Sequence, residues 1–323
     1  MIDSREQDQK IRNMKESNGK QGLPLISVGI PTYNRPKNLR RTLTEITKQT
    51  YRNLEIIVSD NASISDETRI VVGEFMRDDT RVRYFRQPEN QGPAFNFQFV
   101  LDQAQGEYFM WAADDDWRSF DFIDSLWNAM SEDDSAIVAF SDFDVMDQGG
   151  RVVLGYPDPI ATLQLMTGNQ AIHRQLHFFL SNEGRAVPHV IYGLIPMRIL
   201  RGFLWEDFFG RYGTYGADAL FIFWLLGQGR LALVERKLFG CTVNNQKYYG
   251  SAQRRSLSKK LRTAAQRISY LLSFIKIAKG WARLALLSVF PWKLAEVLYS
   301  MTVREPFKKI MWILKKRRQD DQQ

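Results

Sequence analysis

From residue 25 onward the chain alternates between two hydrophobic periodicities. Residues 25–30, 54–59, 82–85, 108–111 and 136–140 are short, nearly unbroken apolar runs, the pattern of strands buried on both faces. Between them the apolar positions recur every three or four residues, as on one face of a helix. Pro36 suits the first turn of a helix carrying Leu39, Leu43 and Ile46 on one face. Ser65, Asp66 and Glu67 make an acidic helix start ahead of Ile70, Val71 and Phe75. Gly92 leads into an aromatic-rich helix ending near Ala104, and residues 122–130 form the next. This alternation predicts an α/β fold with a mostly parallel, Rossmann-like sheet flanked by helices.

In such sheets ligands bind beyond the carboxyl ends of the strands, and the polar clusters of this chain fall there. Thr32-Tyr33-Asn34 follows the first strand, Asp60-Asn61 the second and Asp114-Asp115-Asp116 the fourth. Between Asp142 and Gly216 the rhythm breaks into aromatic segments punctuated by Gly and Pro. It resumes with an apolar helix over 217–227 and a strand over 231–234.

Charge changes the picture at the far end. The net charge of +8 divides unevenly: residues 251–323 hold 17 Lys and Arg against four acids, a net of +13, while residues 1–250 net −5. A basic tail on an acidic body predicts a polyanionic partner, either a membrane surface or nucleic acid. From Tyr270 to Leu314, Leu271, Phe274, Trp281, Leu284, Leu287, Trp292 and other apolar residues interleave with Lys276, Lys279, Arg283 and Lys293. Basic amphipathic helices of this kind lie in a membrane interface, and the basic run at 315–318 adds ~1 kcal/mol per residue near an anionic leaflet. The alternative is a helix pair packed on the body with a solvated basic face. Residues 1–22 are polar and read as a disordered leader without a signal peptide, and no run approaches the ~18 apolar residues of a spanning helix. The expected organisation is a leader over 1–22, an α/β domain over 23–250 and a helical basic tail over 251–323, in a cytoplasmic protein with peripheral membrane contact.

The Asp triplet is the sharpest chemical feature. Three adjacent carboxylates at a strand end repel one another unless a cation or hydrogen-bond donors compensate. Mg²⁺ or Mn²⁺ takes such oxygen ligands together with substrate phosphates. A solvated acidic turn is the plain alternative, but the triplet follows a buried strand and sits between Trp111 and Trp117. Taken alone, the Ile30-Pro31-Thr32-Tyr33-Asn34-Arg35 segment reads as a turn shaped by Pro31 and Pro36, and Asp60-Asn61 and Asn90-Gln91-Gly92 read as turns too. Cys241 is the single cysteine, so neither an internal disulfide nor a thiolate zinc cluster is possible. His173 and His177 fall on one helix face with nothing nearby to complete a metal site.

Together, IPTYNR, SDNAS, Asn90 and Gly92 with Asn96, GEYFMWAADDDW, and GAD before an apolar helix resemble the family 2 glycosyltransferases over about residues 24–240. The resemblance implies a GT-A fold and an inverting transfer from a nucleotide-sugar donor with Mg²⁺ or Mn²⁺. It implies that Thr32, Tyr33 and Asn34 border the base and ribose and that Asp60 faces the base. Asn61, Asn90 and Asp115 would complete the donor site, with Asp114 and Asp116 holding metal and diphosphate. Phe95 departs from the pattern, since many relatives carry an arginine there. An inverting transfer needs a base to take the acceptor hydroxyl's proton. Asp218 stands at the family's position for it, with Glu206-Asp207 the rival, although a helix-start acid favoured by the dipole occupies such a position too.

The acceptor implied is a saccharide or lipid-linked saccharide of surface polysaccharide assembly. A nucleotidyltransferase would want a glycine-rich, lysine-bearing phosphate loop, which IPTYNR lacks. A nucleic-acid-binding protein would use the basic tail but leave the Asp triplet without a role, so nucleic acid is not an expected partner. A binding module without activity is the remaining alternative.

Overall fold

The computed structural model describes residues 22–147, 149–153, 159–181, 187–242 and 257–299; most of the expected leader and the 315–318 run lie outside them. The elements in chain order begin β1 (Ile26–Thr32), α1 (Pro36–Thr47), β2 (Leu54–Asp60), α2 (Glu67–Asp78), β3 (Val82–Arg86), α3 (Gly92–Asp102) and β4 (Tyr108–Trp111). There follow β5 (Trp117–Arg118), α4 (Phe122–Ser131), β6 (Ala136–Met146), α5 (Ile160–Gln164), α6 (Ala171–Leu180) and a 3-10 turn (Val187–Tyr192). The chain continues through β7 (Ile195–Pro196), α7 (Met197–Leu200), α8 (Trp205–Tyr212), α9 (Ala217–Leu226) and β8 (Arg230–Thr242). Two long helices, α10 (Leu257–Ile277) and α11 (Gly280–Tyr299), close the described chain.

The main sheet has the order β3-β2-β1-β4-β7, parallel throughout except for β7 at its edge. β1 and β2 are buried along nearly their whole length, which explains their unbroken apolar runs. Leu39, Leu43 and Ile46 of α1 are buried as the spacing predicts. On α2 the inward stripe is Thr68, Val71, Val72 and Phe75, so Ile70 falls off it and faces solvent. β1 and α3 approach so closely that a Cβ on Gly29 would lie 2.7 Å from Val100 Cγ2.

A second sheet, β5-β8-β6, stands beside the first. The strand expected over 231–234 continues to Thr242 and runs parallel to β6. Glu235, Arg236 and Lys237 break the apolar pattern because this stretch is exposed, where Arg236 pairs with Asp121 and Lys237 with Asp144. Beyond them Leu238, Phe239 and Cys241 are buried again. This extension carries β8 to the Asp triplet.

α10 and α11 pack on the α/β body. Tyr270, Leu271, Phe274 and Ile277 of α10 join the core with Ala282, Leu286 and Val297 of α11. Phe274 meets Phe178, Phe179 and Phe223 with ring centroids 4.8–6.1 Å apart. No described helix is long and apolar enough to cross a membrane.

Candidate active site

β4 ends at Trp111, which is fully buried and donates its indole N–H to the carbonyl of Phe97 at 3.0 Å. The buried strand end fixes the turn that follows, and the triplet occupies it. Asp114 is buried: the Thr32 hydroxyl donates to its Oδ2 at 2.7 Å and Arg35 donates to its Oδ1 at 2.9 Å. The same guanidinium nitrogen donates to Asp115 Oδ2 at 2.8 Å. Asp116, also buried, accepts the Thr242 amide at 3.0 Å, and the Thr242 hydroxyl donates to the Asp115 carbonyl at 2.7 Å.

Burial raises the proton affinity of Asp114, opposed by Thr32 and Arg35. It also raises that of Asp116, opposed by His189 and Arg118. Arg118 is buried in turn, with its guanidinium 5.3 Å over the Phe239 ring, and its Nε and Nη2 have no hydrogen-bond partner among the described residues. Burial lowers the Arg118 proton affinity, while Asp116 and Glu45 sustain it. Among the described residues, no three His, Cys, Asp or Glu side chains are arranged to hold a metal by themselves.

The turns after β1 and β2 lock into each other beside the triplet. Asn34 takes a left-handed φ of 56°, which an Asn tolerates. Its amide donates to Ser63 Oγ and its Oδ1 accepts the Ile64 amide, both at 2.8 Å. Asp60 is fully buried and accepts the Ser63 amide at 2.9 Å and the Tyr84 hydroxyl at 2.8 Å. Asn61 donates to Asn90 Oδ1 and the Gly92 carbonyl, both at 3.0 Å. Asn96 donates to the carbonyls of Ser59 at 3.0 Å and Thr32 at 3.3 Å, tying the ends of β1 and β2 together. The side chains of Asn34, Asp60, Asn61 and Asn90 therefore bond to one another's loops and shape the rim, whereas the Tyr33 ring is exposed on it. Phe95 belongs to an aromatic row with Phe99 and Phe85, centroids 6.1 and 5.3 Å apart in turn. Arg83 lies over the Phe85 end of this row, 5.3 Å from the ring centroid.

Asp218 lies in the first turn of α9, after Gly216 in the left-handed conformation at φ 62°. It lines a cavity of about 270 Å³ with Tyr215, Phe178, Tyr270, Phe274 and Lys293. α10 and α11 supply the last three of the residues named after Tyr215 and Phe178, so the tail forms one wall. Asp218 Oδ1 accepts the Ala219 amide at 2.8 Å. Burial raises the proton affinity of Tyr192, and the charges of Asp116, Asp115 and Asp218 add to this against Arg118. The rivals Glu206 and Asp207 do sit on a helix, α8, but both face solvent while Trp205 and Phe208 turn inward. His173 and His177 are exposed on α6, as expected.

Sequence reading missed Thr242 and His189 as neighbours of Asp116. They follow it by more than 70 residues and no local signal marks either. Arg35 stands in the IPTYNR segment, but nothing in its spacing announces a pairing with Asp114.

Residues 27–182 match the family model described as Glycosyl transferase family 2. Over this stretch, just under half of its length, the chain is similar to glycosyltransferase family 2. A similar protein is the Campylobacter jejuni GalNAc(5)-diNAcBac-PP-undecaprenol beta-1,3-glucosyltransferase, 44% identical over 95 residues, 29% of this chain and 30% of that one. The chain spans less than two thirds of the length of the curated relatives it matches. Among solved structures, S. aureus TarS 1–349 in complex with UDP-GlcNAc superposes with a TM-score of 0.57 at 17% identity, over 87% of this chain and 74% of that one. The mannosyltransferase PcManGT from Pyrobaculum calidifontis, in complex with GDP-Man and Mn²⁺, gives 0.53 at 17% identity over 88% and 78%. These likenesses identify the GT-A fold. The family match covers the Asp triplet and both rim loops, while Asp218, Thr242 and the two C-terminal helices lie beyond it.

Proposed function

We propose that this glycosyltransferase moves a sugar, with inversion, from a nucleoside-diphosphate donor to a saccharide acceptor carried on a lipid diphosphate, in surface glycan assembly at the cytoplasmic face of a membrane. One observation carries the reading: the loop after β1 and the end of β8 bond to the Asp triplet that follows β4, and the loop after β2 locks onto that of β1 beside it. The lipid-linked acceptor follows the name of the Campylobacter relative.

Tyr33 offers an exposed ring to the base, and the bonded rim of Asn34, Asp60, Asn61 and Asn90 holds the pocket that receives the nucleoside. The triplet suits Mg²⁺ or Mn²⁺ in its donor chemistry, since hard carboxylate oxygens combine with substrate phosphates and water in such sites. Asp114 and Asp116 would hold the ion, and it would supply charge stabilisation to the departing diphosphate. Arg35, bonded to Asp114 and Asp115, is half-exposed and can turn toward phosphate oxygens. Asp218 acts as the base. It takes the proton of the acceptor hydroxyl as that oxygen bonds to the anomeric carbon and the bond to the diphosphate breaks. Tyr215 and Tyr270 line the same cavity and give a sugar ring apolar faces to lie against. The basic tail faces an anionic membrane.

A thermal-shift panel of UDP- and GDP-sugars with and without Mn²⁺ tests the reading. We expect at least one to raise Tm in a metal-dependent way. No shift with any nucleotide sugar would overturn it.

A further inference from the structure

α11 carries apolar residues on two opposite faces. Ala282, Leu286 and Val297 point inward and join the core, with Val289, Phe290 and Leu294 along the margins. Trp281, Leu284, Leu287, Trp292 and Tyr299 point outward, and the two tryptophans are 78% and 74% exposed. At 3.6 residues per turn, these five fall within roughly 140° of arc opposite the buried set. Single exposed apolar residues are ordinary, but five large ones along one stripe mark a surface that is covered in use.

Charge decides what covers it. Lys276, Lys279 and Arg283 are exposed where α10 turns into α11, and residues 251–323 carry a net of +13. Glu296 is the only acid on α11, and it is paired with Lys293. An apolar stripe with tryptophans, basic flanks and too little length and hydrophobicity to span has the makeup of a helix lying in an anionic interface.

We propose that the outward face of α11 seats in the headgroup boundary of an anionic bilayer, so that its inward face holds the Asp218 cavity at the membrane surface. Lys293 makes the link. It is 3% exposed, donates to the carbonyls of Leu180 at 3.3 Å and Ser181 at 3.2 Å, and lines the cavity. The cavity thus lies about one helix diameter, ~10–12 Å, from the outward stripe. This deepens the reading of the tail as membrane-facing, and its second half rests on the cavity being the acceptor site.

The test is flotation of the full chain with vesicles rich in phosphatidylglycerol or made of phosphatidylcholine alone. The wild type is compared with Trp281→Glu/Trp292→Glu, both sites being solvent-facing. The wild type should float with anionic vesicles, and the variant should partition ~10-fold less or weaker still, with unchanged melting and unchanged stabilisation by nucleotide sugar. Bromine-labelled acyl chains should quench wild-type tryptophan fluorescence, a readout that needs no variant. A natively melting variant that floats like the wild type would show that other parts of the tail bind the membrane, and would overturn the assignment to α11. A wild type that stays in solution unquenched would overturn membrane docking altogether, as would a wild-type dimer in solution that the substitutions convert to monomer. None of these results touches the nucleotide-sugar reading, which the stabilisation measurement reports separately.

Discussion

The rings of Trp111 and Phe221 meet edge to face with their centroids 5.8 Å apart. Trp111 ends β4 three residues before Asp114, and Phe221 stands three residues after Asp218. One buried aromatic pair therefore ties the strand behind the triplet to the helix of the proposed base. Such pairs are worth about 0.5–1.5 kcal/mol beyond their area.

Phe221→Leu keeps the position apolar but removes the ring that makes this contact. We expect kcat to fall about tenfold or more, since small misplacements of reacting groups are costly, with little change in nucleotide affinity. Steady-state kinetics with a separate nucleotide titration tests this. A parallel loss of nucleotide affinity would mean that the contact supports the donor site instead.

Asp116→Ala should abolish metal-dependent binding of the nucleoside diphosphate, with some loss of stability because buried Arg118 loses a counter-charge. The bond from the Thr242 amide to Asp116 is only partly buried. Calorimetric titration with UDP or GDP and Mn²⁺ is the measurement. Equal binding by variant and wild type would remove Asp116 from the metal site.

Asp218→Asn should lower transfer by ~10²–10⁴-fold with donor affinity nearly unchanged, because a base acts on the acceptor. Asp207→Asn serves as the comparison, and its exposed position predicts near-normal rates. The reverse pattern would show that the base is Asp207.

Glu45 gives a pH dependence of stability. It is buried between Arg118, whose amide donates to it at 3.1 Å, and the more distant Arg41. Burial pushes its carboxyl from an ordinary 4.5 up to about 7, against the pull of both arginines. The folded state then binds this proton more tightly than the unfolded chain. The associated stability is fully present below pH 4.5 and is lost as pH rises to about 7, by up to ~3 kcal/mol. Urea denaturation at pH 5 and pH 8 should show a decline in the wild type that Glu45→Gln flattens. The same slope in both proteins would assign the effect to another group.

Several elements were legible because their causes are local. β1, β2 and β4 must be apolar on both faces to lie under helices, so continuous runs announce them. The stripe of α1, the continuous apolar run of α9 and the acids at the strand ends were readable for the same reason. β8 was read too short because an exposed charged stretch interrupts it, and continuation past that stretch depends on pairing with β6.

By itself the sequence determined the α/β alternation, the polar clusters at the carboxyl ends of the strands and the separation of an acidic body from a basic tail. Each follows from periodicity or composition within a short window of chain. Only the tertiary structure decided which groups share the charge of the triplet. Thr32 meets Asp114 across 82 positions and Thr242 meets Asp116 across 126, and no local pattern encodes such pairings. It also divided the tail's apolar residues, burying Leu271, Phe274 and Leu286 while leaving Trp281 and Trp292 outside. A helix with two apolar faces has one direction in sequence space, and the neighbour it packs against decides which face is left for another partner.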